Sequence, residues 1–163
     1  MKEMKVAVIG AGLMGGGIAQ TCAQAGYTVI NIDVYQPALD RAKATVTKLF
    51  NKKIEKGTMD EQTKNNILAK LSYSADFSDL KDIDLVIEAV PEKMDLKKDI
   101  FKKIDENTKE DIVIVSNTSG LSISEMASVV SKAQNVMGVH FFYPAPVMKL
   151  VELIKGIATS EET

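Results

Sequence analysis

The sequence has very few of the residues that build covalent crosslinks and metal sites. Cys22 is its only cysteine and His140 its only histidine. These counts exclude a disulfide scaffold, a cysteine-based zinc site and a multi-histidine metal site, so no metal is expected. No apolar run approaches the roughly 20 residues that a membrane-spanning helix requires, and the opening residues lack the layout of a signal peptide. The sequence therefore predicts a soluble, cytoplasmic protein with no membrane partner.

An excess of basic residues is also missing. The 20 Lys and Arg residues are balanced by 22 Asp and Glu, which gives a formal net charge of −2 at pH 7. This balance argues against nucleic acid as a partner. What the chain does have is an ordinary apolar share of 45%, which is enough to close one core. A length of 163 residues is that of one ordinary domain, so residues 1–163 are expected to form a single domain. The sequence contains no internal repeat or low-complexity tract.

Short β-branched runs alternate with amphipathic stretches along the chain. Runs of this kind are typical of strands that are buried on both faces of a parallel sheet. The predicted strands cover residues 6–9, 29–32, 85–87, 112–115, 136–139 and 150–154. Because helical patterns separate them, the sequence predicts an α/β fold with a doubly wound, mostly parallel sheet and helices on both faces.

The helical stretches carry apolar stripes and capping signals. One stripe is expected to bury Leu39, Ala42, Val46, Leu49 and Ile54. A helix over residues 93–105 is expected to bury Leu96, Ile100, Phe101 and Ile104. Capping boxes, in which Ser or Thr precedes Glu by three residues, predict helix starts at Thr58, Ser122 and Thr159. A helix from Thr159 has no room before Thr163, so the sequence is expected to be a fragment of a longer protein; the alternative is a polar, frayed tail.

A glycine-rich turn follows the first predicted strand and opens a helix. Gly10, Gly12 and Gly15 have the G-x-G-x-x-G spacing. The first glycine permits the tight turn, the second lets the backbone approach a pyrophosphate, and the third lets the helix pack close to the strand. The positive end of the helix then faces the anion. The predicted cofactor-binding residues of this turn are Gly10, Gly12, Leu13, Met14 and Gly15.

Asp33 follows the second predicted strand, about 20 residues beyond the glycine turn, where the fingerprint of NAD-binding proteins has an acidic residue. A carboxylate at this place accepts hydrogen bonds from the ribose hydroxyls of NAD and repels the 2′-phosphate of NADP. The sequence therefore predicts that NAD is the cofactor. The alternative is a turn that only packs tightly, with Asp33 as a helix cap.

His140 follows the apolar run at residues 136–139, so it lies at the carboxyl end of a predicted strand, where open α/β sheets bind ligands. Glu152 is in the next predicted strand. A carboxylate beside one ring nitrogen would fix the tautomer and raise the basicity of the other nitrogen. Such a pair removes a hydroxyl proton during hydride transfer. From spacing alone, a structural histidine is the alternative.

Two further polar segments follow predicted strands, at residues 88–92 and 116–120. The second offers hydroxyl and amide groups to a substrate or to the nicotinamide; the alternative is a polar turn before the next helix. Glu92 and Lys97 either face the same crevice or are an early-helix acid and a solvated lysine. A basic cluster is either a solvated face or a docking place for a phosphorylated substrate. Its members are Lys48, Lys52, Lys53 and Lys56.

Taken together, four segments of the sequence resemble 3-hydroxyacyl-CoA dehydrogenases, most closely the bacterial 3-hydroxybutyryl-CoA dehydrogenases. They are VAVIGAGLMGGGIAQ at residues 6–20, EAVPE at 88–92, SNTSGLSI at 116–123 and HFFYPAPVMKLVE at 140–152. The resemblance implies a Rossmann-type fold. It also implies an oxidoreductase that uses NAD to interconvert 3-hydroxyacyl-CoA, in particular 3-hydroxybutyryl-CoA, and the 3-ketoacyl-CoA.

The same resemblance implies roles for individual residues. His140 is similar in position to the family's general acid and base, Glu152 to the carboxylate paired with it, and Ser119 to the residue that hydrogen-bonds the reacting oxygen. Further implied cofactor contacts are Ala89, Glu92, Lys97 and Asn117. The implied contacts to the acyl-CoA substrate are Ser119, Lys56 and Lys97.

The chain departs from the family pattern in two respects. Tyr143 stands where the family usually has Asn, which is expected to alter contacts near the nicotinamide or the substrate. The family also continues with an all-helical domain that supplies dimer contacts, part of the acyl-CoA pocket and another active-site Asn. Without that domain, the chain is expected to be weakly active or inactive, and the full protein to be a homodimer or a higher oligomer.

Two other functions remain open at this point. The first is a non-catalytic NAD-binding module or sensor that kept the fold. The second is another chemistry on the same fold, such as methyl transfer from S-adenosylmethionine. The second alternative leaves the His140–Glu152 pair without a role.

Overall fold

Seven strands form one sheet in residues 4–163, the part of the chain that the computed structural model describes. They are β1 (Lys5–Ile9), β2 (Thr28–Ile32), β3 (Leu71–Ser74), β4 (Leu85–Glu88), β5 (Val113–Ser116), β6 (Val136–Phe141) and β7 (Val151–Lys155). Their order across the sheet is β3-β2-β1-β4-β5-β6-β7. All neighbours are parallel except β6 and β7, which are antiparallel. The predicted doubly wound, mostly parallel sheet is confirmed.

Helices cover both faces of this sheet. They are α1 (Leu13–Gln24), α2 (Gln36–Glu55), α3 (Glu61–Ala69), α4 (Met94–Asn107) and α5 (Ile123–Ala127). Side chains of β1 alternate between two cores: Ala7 and Ile9 pack with α4 and α5, and Val6 and Val8 pack with α1 and α2. No helix in residues 4–163 is both long enough and apolar enough to cross a membrane.

Two leucines that were expected in the core are exposed. Leu49 of α2 is 40% exposed, and Phe50 is buried in its place because it lies one helical turn after Val46. Leu96 is 36% exposed, since it lies in the first turn of α4 beside the cavity described below. The predictions for these two leucines were wrong, although the helices themselves are where the stripes placed them.

One of the three predicted helix starts is confirmed. The Ser122 hydroxyl oxygen accepts the Glu125 N–H at 3.2 Å and starts α5. The other two predictions were wrong. Asp60, not Thr58, caps α3 by accepting the Thr63 N–H at 2.6 Å, since its carboxylate lies one residue before the helix.

The third predicted cap, Thr159, is used elsewhere. Its hydroxyl donates to the carbonyl oxygen of Val136, so it is held against the start of β6. The neighbouring Ser160 accepts the Thr163 N–H at 3.2 Å, which is the contact expected of a cap one residue later.

Candidate cofactor and active site

A cavity of about 720 Å³ lies at the end of the sheet where the parallel strands have their carboxyl ends. The strands that reach it are β1, β2, β4, β5 and β6. This volume is within the range of small-molecule and cofactor sites. The predicted site residues on its wall are Gly10, Gly12, Leu13, Met14, Asp33, Ala89, Glu92, Lys97, Asn117, Ser119 and His140. Gly15, Glu152 and Lys56 lie outside the wall. One cavity therefore collects residues from five separate segments of the chain.

The turn between β1 and α1 depends on glycine at two positions. Gly10 has a φ of +100°, and a Cβ there would lie 2.7 Å from the carbonyl oxygen of Ala89. A Cβ at Gly15 would lie 1.9 Å from the carbonyl oxygen of Gly10, so α1 can pack this close to β1 only with glycine at that position. Gly12 differs, because nothing lies within 4 Å of its Cβ position and its missing side chain leaves the cavity open.

The N-terminus of α1 faces the cavity. Gly12 is the N-cap residue, no acidic side chain lies in the first turn, and Leu13 and Met14 line the cavity wall. The first N–H groups of a helix have no partner within it and carry a partial positive charge. This end of the cavity therefore fits the pyrophosphate of a dinucleotide.

Asp33 binds the glycine turn through its carboxylate. Its Oδ2 accepts the Ala11 N–H at 2.8 Å, and its Oδ1 accepts the Tyr35 N–H at 2.9 Å. Tyr35, not Asp33, is the N-cap residue of α2, so Asp33 is not the cap of that helix. Each carboxylate oxygen can accept a further hydrogen bond, which fits a ribose with free hydroxyl groups.

Glu92 holds the segment that follows β5. Its Oε1 accepts hydrogen bonds from the Thr118 hydroxyl and, at 3.1 Å, from the Ser119 N–H. Its Oε2 lies 3.4 Å from the Lys97 ammonium. Burial raises the pKa of Glu92, but these hydrogen bonds and the lysine charge outweigh it, so the pKa lies below its usual range. Glu92 is therefore a carboxylate that orders Thr118 and Ser119.

Lys97 is buried, so the alternative of a solvated lysine was wrong. Its side chain is 1% exposed, and its Nζ lies 2.7 Å from Oε1 of Glu88. Glu88 itself is fully buried at the end of β4. Sequence reasoning did not assign Glu88 a role in the site; the only signal was a carboxylate at the end of an apolar strand.

Asn117 joins the ends of β5 and β6. Its side-chain Oδ1 accepts the Phe141 N–H at 2.8 Å, and its backbone N–H donates to the carbonyl oxygen of Glu88 at 2.8 Å. The side-chain oxygen is thereby used within the protein. The NH₂ group of Asn117 is then the donor that this side chain can offer to a ligand.

His140 and Glu152 form a direct pair across the antiparallel strands. They are opposite one another in the β6–β7 register, and the Nδ1 of His140 lies 2.9 Å from Oε2 of Glu152. The imidazole also packs against Phe142, with ring centroids 4.7 Å apart. His140 lines the cavity, and Glu152 stands outside the wall. The carboxylate can therefore orient the imidazole without occupying the space of a ligand.

Lys56 does not join the cavity. It follows the last turn of α2 and is exposed, as are Lys48 and Lys52 of the predicted basic cluster, whereas Lys53 is half-buried. Within residues 4–163, no group of three His, Cys, Asp or Glu side chains is arranged to hold a metal ion.

The rim of the cavity carries exposed apolar side chains. Leu13 is 72% exposed, Val34 73% and Tyr143 60%, and all three line the opening. Tyr143, where the resemblance implied Asn, lines the cavity, so its side chain borders the space that a ligand would enter. The peptide bond from Tyr143 to Pro144 is cis.

Comparison with known proteins distinguishes a dehydrogenase domain from other proteins of the same fold. The family described as "3-hydroxyacyl-CoA dehydrogenase, NAD binding domain" matches residues 5–163. The chain belongs to this family. It is a Rossmann-type NAD-binding domain of an oxidoreductase family, and NAD is its cofactor, as the glycine turn and Asp33 predicted. The methyltransferase alternative has no support from this match.

Relatives of this 3-hydroxyacyl-CoA dehydrogenase domain share a large part of its sequence. It is 48% identical over 160 residues to 3-hydroxybutyryl-CoA dehydrogenase of Clostridioides difficile, a match that covers 98% of this chain and 57% of the relative. It is 41% identical over 163 residues to a probable 3-hydroxybutyryl-CoA dehydrogenase of Bacillus subtilis, covering 100% of this chain and 57% of the relative. The chain thus spans little more than half the length of these relatives.

Solved structures agree with this assignment. The (S)-3-hydroxybutyryl-CoA dehydrogenase of Ralstonia eutropha superposes with a TM-score of 0.95 at 43% identity, covering 99% of this chain and 57% of that one. A 3-hydroxybutyryl-CoA dehydrogenase of Escherichia coli superposes with a TM-score of 0.96 at 38% identity, covering 99% of this chain and 34% of that one.

Proposed function

We propose that residues 1–163 form the NAD-binding domain of a 3-hydroxybutyryl-CoA dehydrogenase, which interconverts 3-hydroxybutyryl-CoA and acetoacetyl-CoA. The observation that carries the proposal is the His140–Glu152 pair, 2.9 Å apart, in a cavity that the glycine turn lines as well. The relatives that bear this enzyme's name, at 48% and 43% identity, support the choice of substrate.

In this proposal His140 is the general acid and base. Bound NAD supplies the hydride acceptor. With Nδ1 hydrogen-bonded to Glu152, Nε2 accepts the proton of the substrate 3-hydroxyl while the C3 hydride leaves. In the reverse direction, Nε2 returns that proton to the developing alkoxide. Glu152 stabilises the imidazolium that forms in between.

Other residues bind and orient the two ligands. Ser119 donates a hydrogen bond to the reacting oxygen, and Asn117, Ala89, Glu92 and Lys97 contact the nicotinamide half of the cofactor. Their place on the wall of the same cavity as His140 supports these roles. A contact between Lys56 and CoA has less support, because Lys56 lies outside the cavity.

The full protein is proposed to be a homodimer. A helical domain outside residues 1–163 would supply the dimer contacts and complete the acyl-CoA pocket, as the resemblance implies. The greater length of the matched relatives is consistent with such a domain. On this proposal the 163-residue chain binds NADH but converts acyl-CoA weakly or not at all.

Titrations with NADH and with NADPH, followed by nicotinamide fluorescence, test the cofactor site. The Asp33 carboxylate should accept the ribose hydroxyls and repel a 2′-phosphate. We expect saturable NADH binding and NADPH binding that is weaker by at least roughly tenfold, as for a juxtaposition of like charges.

Asp33→Asn is the matched control for this titration, since it keeps the size of the side chain and removes its charge. It should narrow the difference between the two affinities. Equal binding of NADH and NADPH by the unchanged chain would contradict the role of Asp33, and binding of neither would contradict the proposed function. NADH binding without acyl-CoA turnover in the full-length protein would favour a non-catalytic NAD-binding module.

A further inference from the structure

An ion pair is buried beside the cavity, and the proposed chemistry gives one of its members no role. Glu88, the last residue of β4, is 0% exposed, and Lys97 of α4 is 1% exposed. Their charged atoms are 2.7 Å apart. A buried ion pair is often no more stabilising than apolar residues of the same size would be, so its presence suggests a role in positioning.

Both carboxylate oxygens of Glu88 are occupied. Oε1 accepts hydrogen bonds from the Lys97 ammonium and from the Val90 N–H, both at 2.7 Å. Oε2 accepts the Ser116 hydroxyl at 2.6 Å. One carboxylate therefore joins the ends of two adjacent strands, the segment after β4 and the first turns of α4.

Two routes lead from Glu88 to the segment after β5. In the first, the Ser116 oxygen that is bound to Glu88 accepts the Thr118 N–H at 3.2 Å. In the second, the Lys97 ammonium lies 3.4 Å from Glu92, which accepts hydrogen bonds from the Thr118 hydroxyl and the Ser119 N–H. Both routes reach Thr118, and the second also reaches Ser119.

The strand order places this network under one half of the cavity. Asp33 follows β2 and the glycine turn follows β1, whereas Glu88 and Ser116 end β4 and β5 on the other side of β1. Of these two strands, β5 is next to β6, which carries His140. Dinucleotides lie across such an edge, with their two halves on opposite sides of the point where the strand order reverses. The Glu88 network therefore lies on the nicotinamide side, away from Asp33.

We propose that Glu88 is a positioning residue for the nicotinamide half of the cofactor. Its carboxylate fixes Lys97 and the Thr118–Ser119 segment, and these hold the nicotinamide half beside His140. The adenosine and pyrophosphate half binds the glycine turn and Asp33 without help from Glu88. This inference rests on the proposed function, since it requires that the cavity bind NAD(H).

The test compares NADH with ADP, which has only the adenosine and diphosphate part, in the unchanged chain and in Glu88→Gln. Glutamine keeps the size of the side chain and an acceptor for the Val90 N–H but cannot balance the charge of Lys97. The freed ammonium then competes for Glu92 and disturbs Ser119. We expect the affinity for NADH to fall by roughly tenfold or more, which is the loss expected when one hydrogen bond to a charged group is removed. The affinity for ADP should be unchanged.

Glu125→Gln is the matched control, because it breaks an exposed ion pair to Lys98, the next lysine of the same helix. It should change neither affinity. Unchanged NADH affinity in Glu88→Gln, or an equal loss of NADH and ADP binding, would overturn the positioning role. If the unchanged chain binds neither ligand, the proposed function itself fails. Should Glu88→Gln not fold, Ser116→Ala decides by the same comparison, since it removes the Ser116 route alone and should weaken NADH selectively.

Discussion

The reactivity proposed for His140 depends on one neighbouring side chain. Glu152 contacts Nδ1 and leaves Nε2 as the nitrogen that can exchange a proton with a ligand. Neither residue is hydrogen-bonded to the glycine turn or to Asp33, so the proposed proton transfer and the binding of the pyrophosphate and ribose depend on different side chains. The two properties should therefore respond separately to substitution.

His140→Gln tests this separation in the full-length protein. Glutamine cannot accept and return a proton near neutral pH, so turnover of acyl-CoA should fall by about 10²–10⁴-fold. NADH affinity should be nearly unchanged, because the residues that bind the pyrophosphate and the ribose remain. Steady-state rates and a NADH titration measure the two quantities.

Glu152→Gln is the companion variant, and it should lower turnover less than His140→Gln because the amide oxygen can still accept the Nδ1–H. Substantial turnover in His140→Gln would refute the assignment of the general base. A loss of NADH binding in the same variant would show that His140 has a structural role instead.

At the scale of elements, the important feature is the close packing of α1 against the ends of β1 and β4. This packing leaves space for a dinucleotide at the turn between β1 and α1. Gly10 and Gly26 both have a φ near +100°, but only Gly10 has a neighbour that a Cβ would meet, the Ala89 carbonyl oxygen at 2.7 Å. A substitution at Gly26 therefore measures the cost of backbone strain alone, whereas a substitution at Gly10 adds the cost of steric overlap.

Gly26→Ala should lower the free energy of unfolding by about 1–2 kcal/mol, the cost of placing a side chain in this backbone region. Gly10→Ala should lower it further and should also weaken NADH binding, because the strand end must move. Urea unfolding measures both variants. Equal destabilisation by the two substitutions would show that the contact with Ala89 contributes nothing.

The sequence predicts the strands that contain a run of apolar residues. These are β1, β2, β4, β5 and β6, whose faces are packed against helices, and the exposed edge strand β7. β3, with the sequence LSYS, lies at the sheet edge and was not predicted, since half of its short sequence is serine. Asp60 was missed as a cap because the pattern of Thr58 and Glu61 matched a capping box two residues earlier.

The residues of the site can be predicted from the sequence where they belong to a motif or lie in neighbouring segments of the chain. The spacing of the glycine turn and Asp33 is typical of a dinucleotide site and so predicts their function. The pairing of His140 with Glu152 was predictable because they lie in two strands that are consecutive in the sequence. The burial of Lys97 has no such signal, because its partner Glu88 is nine residues away on a different element. An ion pair of this kind depends on how α4 packs against the sheet.

At the scale of the whole molecule, β7 and its flanking segments carry six exposed apolar side chains, alongside the exposed polar residues Lys149, Glu152 and Lys155. The six apolar residues, here called the β7 patch, are Val147, Met148, Leu150, Leu153, Ile154 and Ile157. Contiguous apolar patches on a monomer favour association. That the full protein is cytoplasmic and homodimeric stays a prediction.

We expect the 163-residue chain to self-associate through this patch. Sedimentation velocity should show a weight-average mass that rises with concentration, and the double variant Leu153→Ser with Ile157→Ser should reduce that rise. Val34→Ser is the matched control, because Val34 is 73% exposed but lies at the cavity. A chain that remains monomeric at every concentration would contradict the prediction.

The proposed proton-transfer pair depends on the register between β6 and the antiparallel β7. His140 faces Glu152 only because the two are opposite in the ladder; a shift of one residue would bring Val151 or Leu153 opposite the imidazole and turn the carboxylate to the other face of the sheet. The segment from residue 142 to residue 150 therefore acts as a spacer. Replacing it with a segment of another length would preserve or abolish the chemistry according to the alignment it imposes, even with both reacting side chains intact.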